Sequence, residues 1–200
     1  MKLQLDNNWS PDFACNYTWV AGDKNGLISL MLSNGYGWLP KALLNSSISN
    51  NDINLLCEYI DGESTDYINK TNLNGGYIID LYSSYYYESY QNKHELIKSF
   101  NSRLESNKNC IASLATKMGM FCYEAIELPS EGDNYPIGYD GETKMGDYYR
   151  FIVPTVFATI EDIPLPLRQY IAVSNTIDFT KDRLLDNDRI SEYFPRMYQS

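Results

Sequence analysis

The chain has 200 residues, a formal net charge of −10, 44% hydrophobic residues and one histidine. These values suit a single globular domain over residues 1–200 with an ample core, and they exclude a disordered chain. An acidic surface repels nucleic acid and anionic lipid, and no apolar run is long enough to span a bilayer, so we expect neither kind of partner. The N-terminus lacks the apolar stretch of a signal peptide, which predicts a cytoplasmic protein.

The chain begins with a predicted β-hairpin. Residues 17–21 and 27–32 have the apolar and aromatic character of strands. Between them lie Asn25 and Gly26, a pair that readily adopts the positive φ angles of a tight hairpin turn. The hairpin is therefore expected to start an antiparallel sheet.

A first helix is predicted over residues 51–61, because apolar side chains recur there at helical spacing. Asn50 or Asn51 is placed to cap its start, since asparagine side chains accept hydrogen bonds from the first free backbone N–H groups. Gly62 is placed to end the helix, because glycine adopts the left-handed conformation of a helix C-terminus at little cost.

The middle of the chain predicts a strand, two helices and another strand. Residues 77–82 have the β-branched and aromatic character of a partly buried strand. Apolar residues at helical intervals predict helices over 92–104 and 111–118, or one interrupted helix, ending at Gly119. Residues 120–128 are predicted to form the next strand.

A cluster of tyrosines follows the strand at 77–82. In extended backbone, side chains alternate between faces, so Tyr82, Tyr86 and Tyr90 share one face. Tyr85 and Tyr87 share the other face. One set is expected to pack inward with the core, which leaves the other set exposed to a partner.

Residues 129–147 predict one long acidic loop, because glycine, proline, serine and asparagine interrupt any regular pattern there. Loops of this length inside a domain are usually functional or disordered. A strand is predicted over 148–159, where Pro154 implies an edge position or a bulge. An amphipathic helix over 186–194 closes the chain.

Together these elements predict an α+β fold. It consists of a mainly antiparallel sheet with an N-terminal hairpin, packed against three to four helices, with one long acidic loop. The four cysteines include no Cys-x-x-Cys pair, so we expect buried free thiols. The acids of the loop do not follow the order of a calcium-binding loop, so we expect no metal and no cofactor.

Two enzyme mechanisms stay open as alternatives to a binding protein. A thiol hydrolase would pair His94 with Cys57 or Cys122, although nothing in the flanking residues supports this pairing. Carboxylate catalysis would use the acids of the long loop, or Glu124 and Glu127, which on a strand would point to opposite faces. We therefore expect a protein that is not an enzyme, with a motif-poor hydrolase as the alternative.

The long loop is the candidate site for a basic protein partner. Its carboxylates steer association and pair with lysine or arginine, and its tyrosines supply rigid aromatic contact area. The candidate contact residues are Glu131, Asp133, Tyr135, Tyr139, Asp140, Glu142, Asp147 and Tyr148, together with Tyr86 and Tyr90 of the tyrosine cluster.

In general type, the chain resembles the immunity proteins that bacteria encode beside polymorphic toxins. The resemblance covers the whole chain and rests on small size, acidity, lack of a catalytic motif and richness in asparagine, serine, tyrosine and isoleucine. It implies an antitoxin-like inhibitor that occludes the basic active site of a cognate toxin domain. A phage or adaptor structural protein, or a mimic of DNA charge, is a further alternative. The concentration of acids between residues 51 and 150 favours a local patch over a duplex-like stripe.

Overall fold

The computed structural model describes residues 8–12, 15–46, 49–67, 75–85, 92–105, 111–127 and 133–199. The strands in chain order are β1 Thr18–Gly22, β2 Ile28–Leu32, β3 Tyr77–Ile79, β4 Tyr82–Ser83, β5 Phe121–Ala125, β6 Pro136–Ile137, β7 Tyr148–Pro154, β8 Ala172–Val173, β9 Leu184–Leu185 and β10 Arg196–Met197. The α-helices are α1 Lys41–Leu44, α2 Asn50–Asp61, α3 Lys93–Glu105, α4 Ile111–Lys117, α5 Leu165–Arg168 and α6 Ile190–Tyr193, with 3-10 turns at Ile160–Asp162 and Asn187–Arg189.

The predicted hairpin is confirmed as strands β1 and β2, which pair antiparallel. Gly26 has a φ of 80°, as its place in the turn requires. The buried Asp23 carboxylate accepts hydrogen bonds from the backbone N–H groups of Asn25 at 2.8 Å and Leu27 at 2.9 Å. It also accepts one from Phe179 N at 3.1 Å, so the turn is joined to the C-terminal part of the chain.

The hairpin lies inside a mixed sheet with the strand order β10-β8-β1-β2-β5-β7. Both β3 and β9 pair with β7 along its remaining edge. The pairs β1–β8 and β2–β5 are parallel and the other pairs are antiparallel. The predicted α+β class with a mainly antiparallel sheet is therefore confirmed.

Side chains alternate between two buried faces of this sheet. Helices α2, α3 and α4 contribute side chains to one core, which Val20, Leu30 and Cys122 enter from the sheet. On the other face Trp19 and Phe121 meet the segment from residue 174 to 197. Because both faces are covered, the strands are buried along most of their length, which explains their nearly continuous apolar sequence.

Helix α2 begins one residue earlier than predicted, and the predicted cap was wrong. Ser49 is the cap, and its backbone N–H donates to the Asp52 carboxylate at 2.8 Å while its hydroxyl accepts from Asp52 N at 3.4 Å. This reciprocal capping box outcompetes a cap by Asn50 or Asn51. The predicted end is confirmed, since Gly62 is left-handed with a φ of 73°.

The other predicted elements are present with shifted ends. Helices α3 and α4 and strand β5 match the predictions for 92–104, 111–118 and 120–128. The strand predicted over 148–159 ends at Pro154, whose only ladder partner is Tyr77 among the residues described. The predicted closing helix is a 3-10 turn followed by the four residues of α6.

In the described part of the chain, none of the helices combines the length and the apolarity that crossing a membrane requires.

Candidate protein-binding surface

A two-stranded ribbon joins the tyrosine segment to the long loop. The strand predicted over 77–82 breaks after Ile79, and β4 pairs instead with β6, so that Tyr82 is opposite Ile137 and Ser83 is opposite Pro136. The first residues of the tyrosine cluster and the loop therefore lie side by side. The sequence gave no signal for this pairing, because the two strands are far apart in the chain and each has only two residues.

Side-chain hydrogen bonds hold the ribbon in place. The buried Asn134 side chain accepts from the hydroxyl of Ser83 at 2.8 Å and from that of Ser84 at 3.2 Å. The backbone of Tyr135 donates to the Ser84 hydroxyl at 3.1 Å, and its carbonyl accepts from Ser84 N at 2.9 Å. These contacts fix the loop against β4, so the side chains on either side of Asn134 have defined positions.

Two tyrosines and three acids are exposed on and beside this ribbon. Tyr85 is 51% exposed and Tyr135 is 55% exposed. Tyr85 lies shortly after the end of β4, and Tyr135 directly precedes β6. The acids lie before and after β6, and the two later ones follow a turn closed by Tyr139 N donating to Pro136 O at 3.3 Å. We call the set of Tyr85, Asp133, Tyr135, Asp140 and Glu142 the tyrosine–acid surface.

The one lysine of the loop does not neutralise this surface. Lys144 Nζ lies 2.7 Å from Asp186 Oδ1 and 2.5 Å from Asp188 Oδ2. Hydrogen bonds to these two carboxylates raise the pKa of Lys144. The lysine is therefore balanced by acids outside the loop and does not neutralise Asp133, Asp140 or Glu142, although Asp140 interacts electrostatically with Arg183.

The structure corrects two of the predicted contact residues. Asp147 is 4% exposed and Tyr148 is 0% exposed, so neither side chain can reach a partner. Asp147 accepts from the backbone N–H groups of Asn187 at 2.8 Å and Lys144 at 2.9 Å, and so closes the end of the loop. The Tyr148 hydroxyl donates to Trp38 O at 3.1 Å beneath the sheet. Both residues are structural, because Tyr148 is the first residue of β7, where the strand was predicted to begin, and Asp147 directly precedes it.

The remaining candidates divide into two groups. Tyr139 is half-buried and packs against the core on the helical face of the sheet, so only its edge is available. Glu131, Tyr86 and Tyr90 lie outside the described residues. Tyr82 is buried and Tyr85 is exposed, but the predicted alternation of the tyrosine cluster does not explain this, since Ser83 and Ser84 are buried as well and residues 84 and 85 have helical backbone. Tyr87 also lies outside the described residues.

An ion-pair cluster that the sequence did not predict lies against the loop, where the Arg183 side chain is next to Gly138. Asp80, just after β3, accepts from Arg150 Nε at 2.7 Å and from Arg183 Nη2 at 2.6 Å. Burial raises the pKa of Asp80, but hydrogen bonds from the two arginines outweigh it and lower the pKa below its usual value. The charges of Asp140 and Tyr139 add to the raised pKa of Arg183, after the larger effect of its hydrogen bond to Asp80.

The residues of the thiol-hydrolase alternative are not arranged for that chemistry. Burial, followed by the charges of Asp61 and Glu58, raises the pKa of the Cys57 thiol to about 12, which keeps it protonated at neutral pH. Cys122 is fully buried in β5, whereas His94 is exposed on the first turn of α3. Neither cysteine is therefore presented to a base as an accessible thiolate.

Glu124 is the most unusual carboxyl group of the described residues. It points from β5 toward the helical core, where it accepts a hydrogen bond from the Tyr149 hydroxyl at 2.8 Å. Burial raises its pKa to about 7, the Tyr149 hydrogen bond opposes this shift, and the charge of Glu127 adds to it. The expectation that the two acids alternate across one strand was wrong, since β5 ends at Ala125.

Comparisons of the chain with protein-family models, with curated proteins and with solved structures found no match. Within the described ranges, no three histidine, cysteine or acidic side chains are grouped closely enough to hold a metal ion. The geometry of the tyrosine–acid surface is therefore the main guide to function.

Proposed function

We propose that the protein is a stoichiometric inhibitor of the immunity or antitoxin type, which binds and occludes the basic active site of a cognate bacterial toxin domain. The observation that carries the proposal is the tyrosine–acid surface, where two half-exposed phenol rings accompany exposed carboxylates that Lys144 does not neutralise. Tyrosine is enriched at protein interfaces because its ring is large and rigid and its hydroxyl stays hydrogen-bonded.

The charge of this surface supports a basic partner. Negative side chains around a contact attract a positively charged surface and raise the rate of encounter. Toxin domains that act on nucleic acid need a basic active site, since binding phosphate depends on lysine and arginine. An acidic protein with exposed tyrosines is complementary to such a site in charge.

The anchoring of the surface supports tight binding. Asn134 and Ser84 hold Tyr135 by backbone and side-chain hydrogen bonds on one side. On the other side, Gly138 packs over Leu81, with a φ of 93° that suits glycine. A loop that is already ordered loses less conformational entropy on binding than a free one, which leaves more of the contact energy for affinity.

The direct test uses the toxin domain that we expect to be encoded immediately upstream of this protein's gene. Titrating that domain with the purified protein should abolish its activity at a one-to-one ratio. A variant that carries Asp133→Lys, Asp140→Lys and Glu142→Lys is expected to associate about 10- to 100-fold more slowly at low salt, because steering by the loop is reversed. Its association rate should also depend less steeply on salt.

A matched control changes the net charge by the same amount elsewhere. Glu58, Glu63 and Asp66 are exposed on and after α2, and changing all three to lysine should slow association much less. Equal slowing by both triple variants would show that net charge alone matters and would reject the tyrosine–acid surface. Turnover of a small substrate by the purified protein would support the enzyme alternative instead.

A further inference from the structure

A cleft of about 600 Å³ lies beside helices α1 and α6, apart from the tyrosine–acid surface. Its volume falls in the range of small-molecule sites, which are typically about 300–1,000 Å³. Apolar and aromatic residues form its walls, and polar and charged residues form its rim. The lining residues are Asn8, Trp9, Trp38, Leu39, Lys41, Leu44, Asn187, Asp188, Ser191 and Glu192.

Two tryptophans give the cleft its aromatic wall. The rings of Trp9 and Trp38 meet edge to face, with centroids 6.1 Å apart and planes at 90°. Trp9 makes a similar contact with Tyr17 at 5.4 Å, which supports its ring from behind. Trp38 is 37% exposed, unlike the buried Trp19, so a large aromatic surface is open to a ligand.

The backbone that carries Trp38 is held on both sides. Its N–H donates to the Asn187 side chain at 2.8 Å, and its carbonyl accepts from the Tyr148 hydroxyl at 3.1 Å. The preceding Gly37 lies so close to the Tyr148 ring that a Cβ there would come within 2.5 Å of it. The indole is therefore presented by an ordered loop, which lowers the entropic cost of binding.

The acids at the rim are already paired with bases. Asp188 lies 2.5 Å from Lys144 Nζ, and Glu192 lies 2.8 Å from Arg189 Nε. Lys144 also pairs with Asp186, and Lys41 lines the cleft, so the bases and the acids at and beside the rim are equal in number. The rim therefore has no net excess of charge that would favour a phosphate, a carboxylate or a polyamine. Paired carboxylates still have lone pairs that can accept hydrogen bonds from hydroxyl groups, as can the Ser191 hydroxyl.

We propose that this cleft binds a neutral saccharide. A pyranose ring has one face of C–H groups and an edge of hydroxyls, which suits a partly exposed indole bordered by polar side chains. The sugar ring would lie on Trp38, and its hydroxyls would meet Asn8, Asp188, Ser191 and Glu192. This binding activity is separate from the proposed inhibition of a toxin and does not depend on it.

The test measures binding of maltotriose, cellotriose and the trimer of N-acetylglucosamine to the full chain. We expect at least one of them to change the tryptophan fluorescence saturably, with a millimolar dissociation constant, and to give saturation-transfer NMR signals. Trp38→Ala is expected to weaken this binding by roughly tenfold or more. Tyr135→Ala, which removes an equally exposed ring from the tyrosine–acid surface, should leave it unchanged.

Glu192→Gln and Trp38→Leu keep the proposal testable if Trp38→Ala does not fold. Glu192 is exposed, so its glutamine variant should fold and weaken sugar binding severalfold at most, whereas Trp38→Leu should abolish it. Failure of all three sugars to bind would overturn the proposal, as would binding that survives the loss of Trp38. Weaker inhibition of the toxin by Trp38→Ala, without any sugar binding, would identify the cleft as a protein contact and would equally overturn it.

Discussion

Replacing Asp80 with alanine is expected to lower the free energy of unfolding by about 3–5 kcal/mol. The substitution removes the carboxylate that pairs with Arg150 Nη2 at 2.6 Å and with Arg183 Nη2 at 2.6 Å. The Arg150 side chain is only 9% exposed, so its guanidinium would stay buried with Phe179 O as its remaining partner at 2.7 Å. Leaving a buried charge without its counter-ion is among the most destabilising single changes.

Chemical denaturation at neutral pH measures this effect. Glu161→Ala is the matched control, since Glu161 also pairs with an arginine at 2.5 Å but is 71% exposed, and we expect a loss below about 1 kcal/mol there. Arg183→Ala should fall between the two, because Arg183 is partly exposed. A folded Asp80→Ala variant within about 1 kcal/mol of the parent would show that the cluster is not a stabilising unit.

The Asp80 effect should also depend on pH in a defined direction. The arginines lower the pKa of Asp80 in the folded protein, so its contribution to stability is present above the ordinary aspartate pKa. It is lost as the pH falls through the lowered value. The difference between the parent and Asp80→Ala should therefore shrink in acid. A difference that stays constant down to the folded-state pKa would contradict the ion-pair explanation.

Replacing Glu124 with glutamine is expected to stabilise the protein at pH 8 by about 3 kcal/mol relative to its effect at pH 4.5. The pKa of Glu124 is raised from 4.5 to about 7 in the folded protein, chiefly by burial. The neutral carboxyl therefore favours folding fully below pH 4.5. This contribution is lost as the pH rises through about 7. Glutamine is neutral throughout and does not lose it.

The measurement is the difference in unfolding free energy between the parent and Glu124→Gln across this pH range, because that difference cancels the other carboxyl groups. Tyr149→Phe gives a second check. The Tyr149 hydroxyl donates to Glu124 at 2.8 Å and opposes the rise of its pKa, so its removal should move the transition to higher pH. A parent-to-variant difference that does not change with pH would mean that Glu124 ionises normally.

The two predictions concern opposite faces of the sheet at two adjacent residues of β7, Tyr149 and Arg150. Asp80 and Arg150 support the loop that carries the tyrosine–acid surface, since Gly138 of that loop lies against Leu81 and the Arg183 guanidinium. Glu124 lies on the helical face of the sheet, hydrogen-bonded to Tyr149. Loss of the Asp80 cluster is therefore expected to disturb partner binding as well as stability, whereas Glu124→Gln should change stability alone.

Local sequence signals were enough to predict many elements of the fold. The turn at Asn25 and Gly26 and the helix end at Gly62 depend on backbone angles that few residues adopt, so the residue type itself reveals the structure. The apolar spacing of α3 and α4 indicated their buried faces, because side chains three and four residues apart lie on the same face of a helix. The cap of α2 was misplaced because three polar residues in succession can each cap a helix, and only the reciprocal contact of Ser49 and Asp52 decides between them.

The sequence predicted which loop carries the candidate site, but it did not predict which residues of that loop are exposed. An acidic, tyrosine-rich loop was evident from composition, yet residue type could not separate the exposed Tyr135 from the buried Tyr148. Tyr148 is buried because it lies in β7 between β5 and β9 and packs against Trp19, contacts that join distant parts of the chain. The ribbon between Ser83 and Pro136 depends in the same way on a pairing between distant segments.

By itself, the sequence determined the α+β class, the hairpin, the principal helices and the acidic character of the surface, because each follows from the preferences of neighbouring residues. Only the tertiary structure decided which acids and tyrosines reach solvent, that Asp80 pairs with Arg150 and Arg183, and that Trp9 and Trp38 share a cleft. These features join residues far apart in the chain. Their energies come from burial and charge pairing, which no local pattern records.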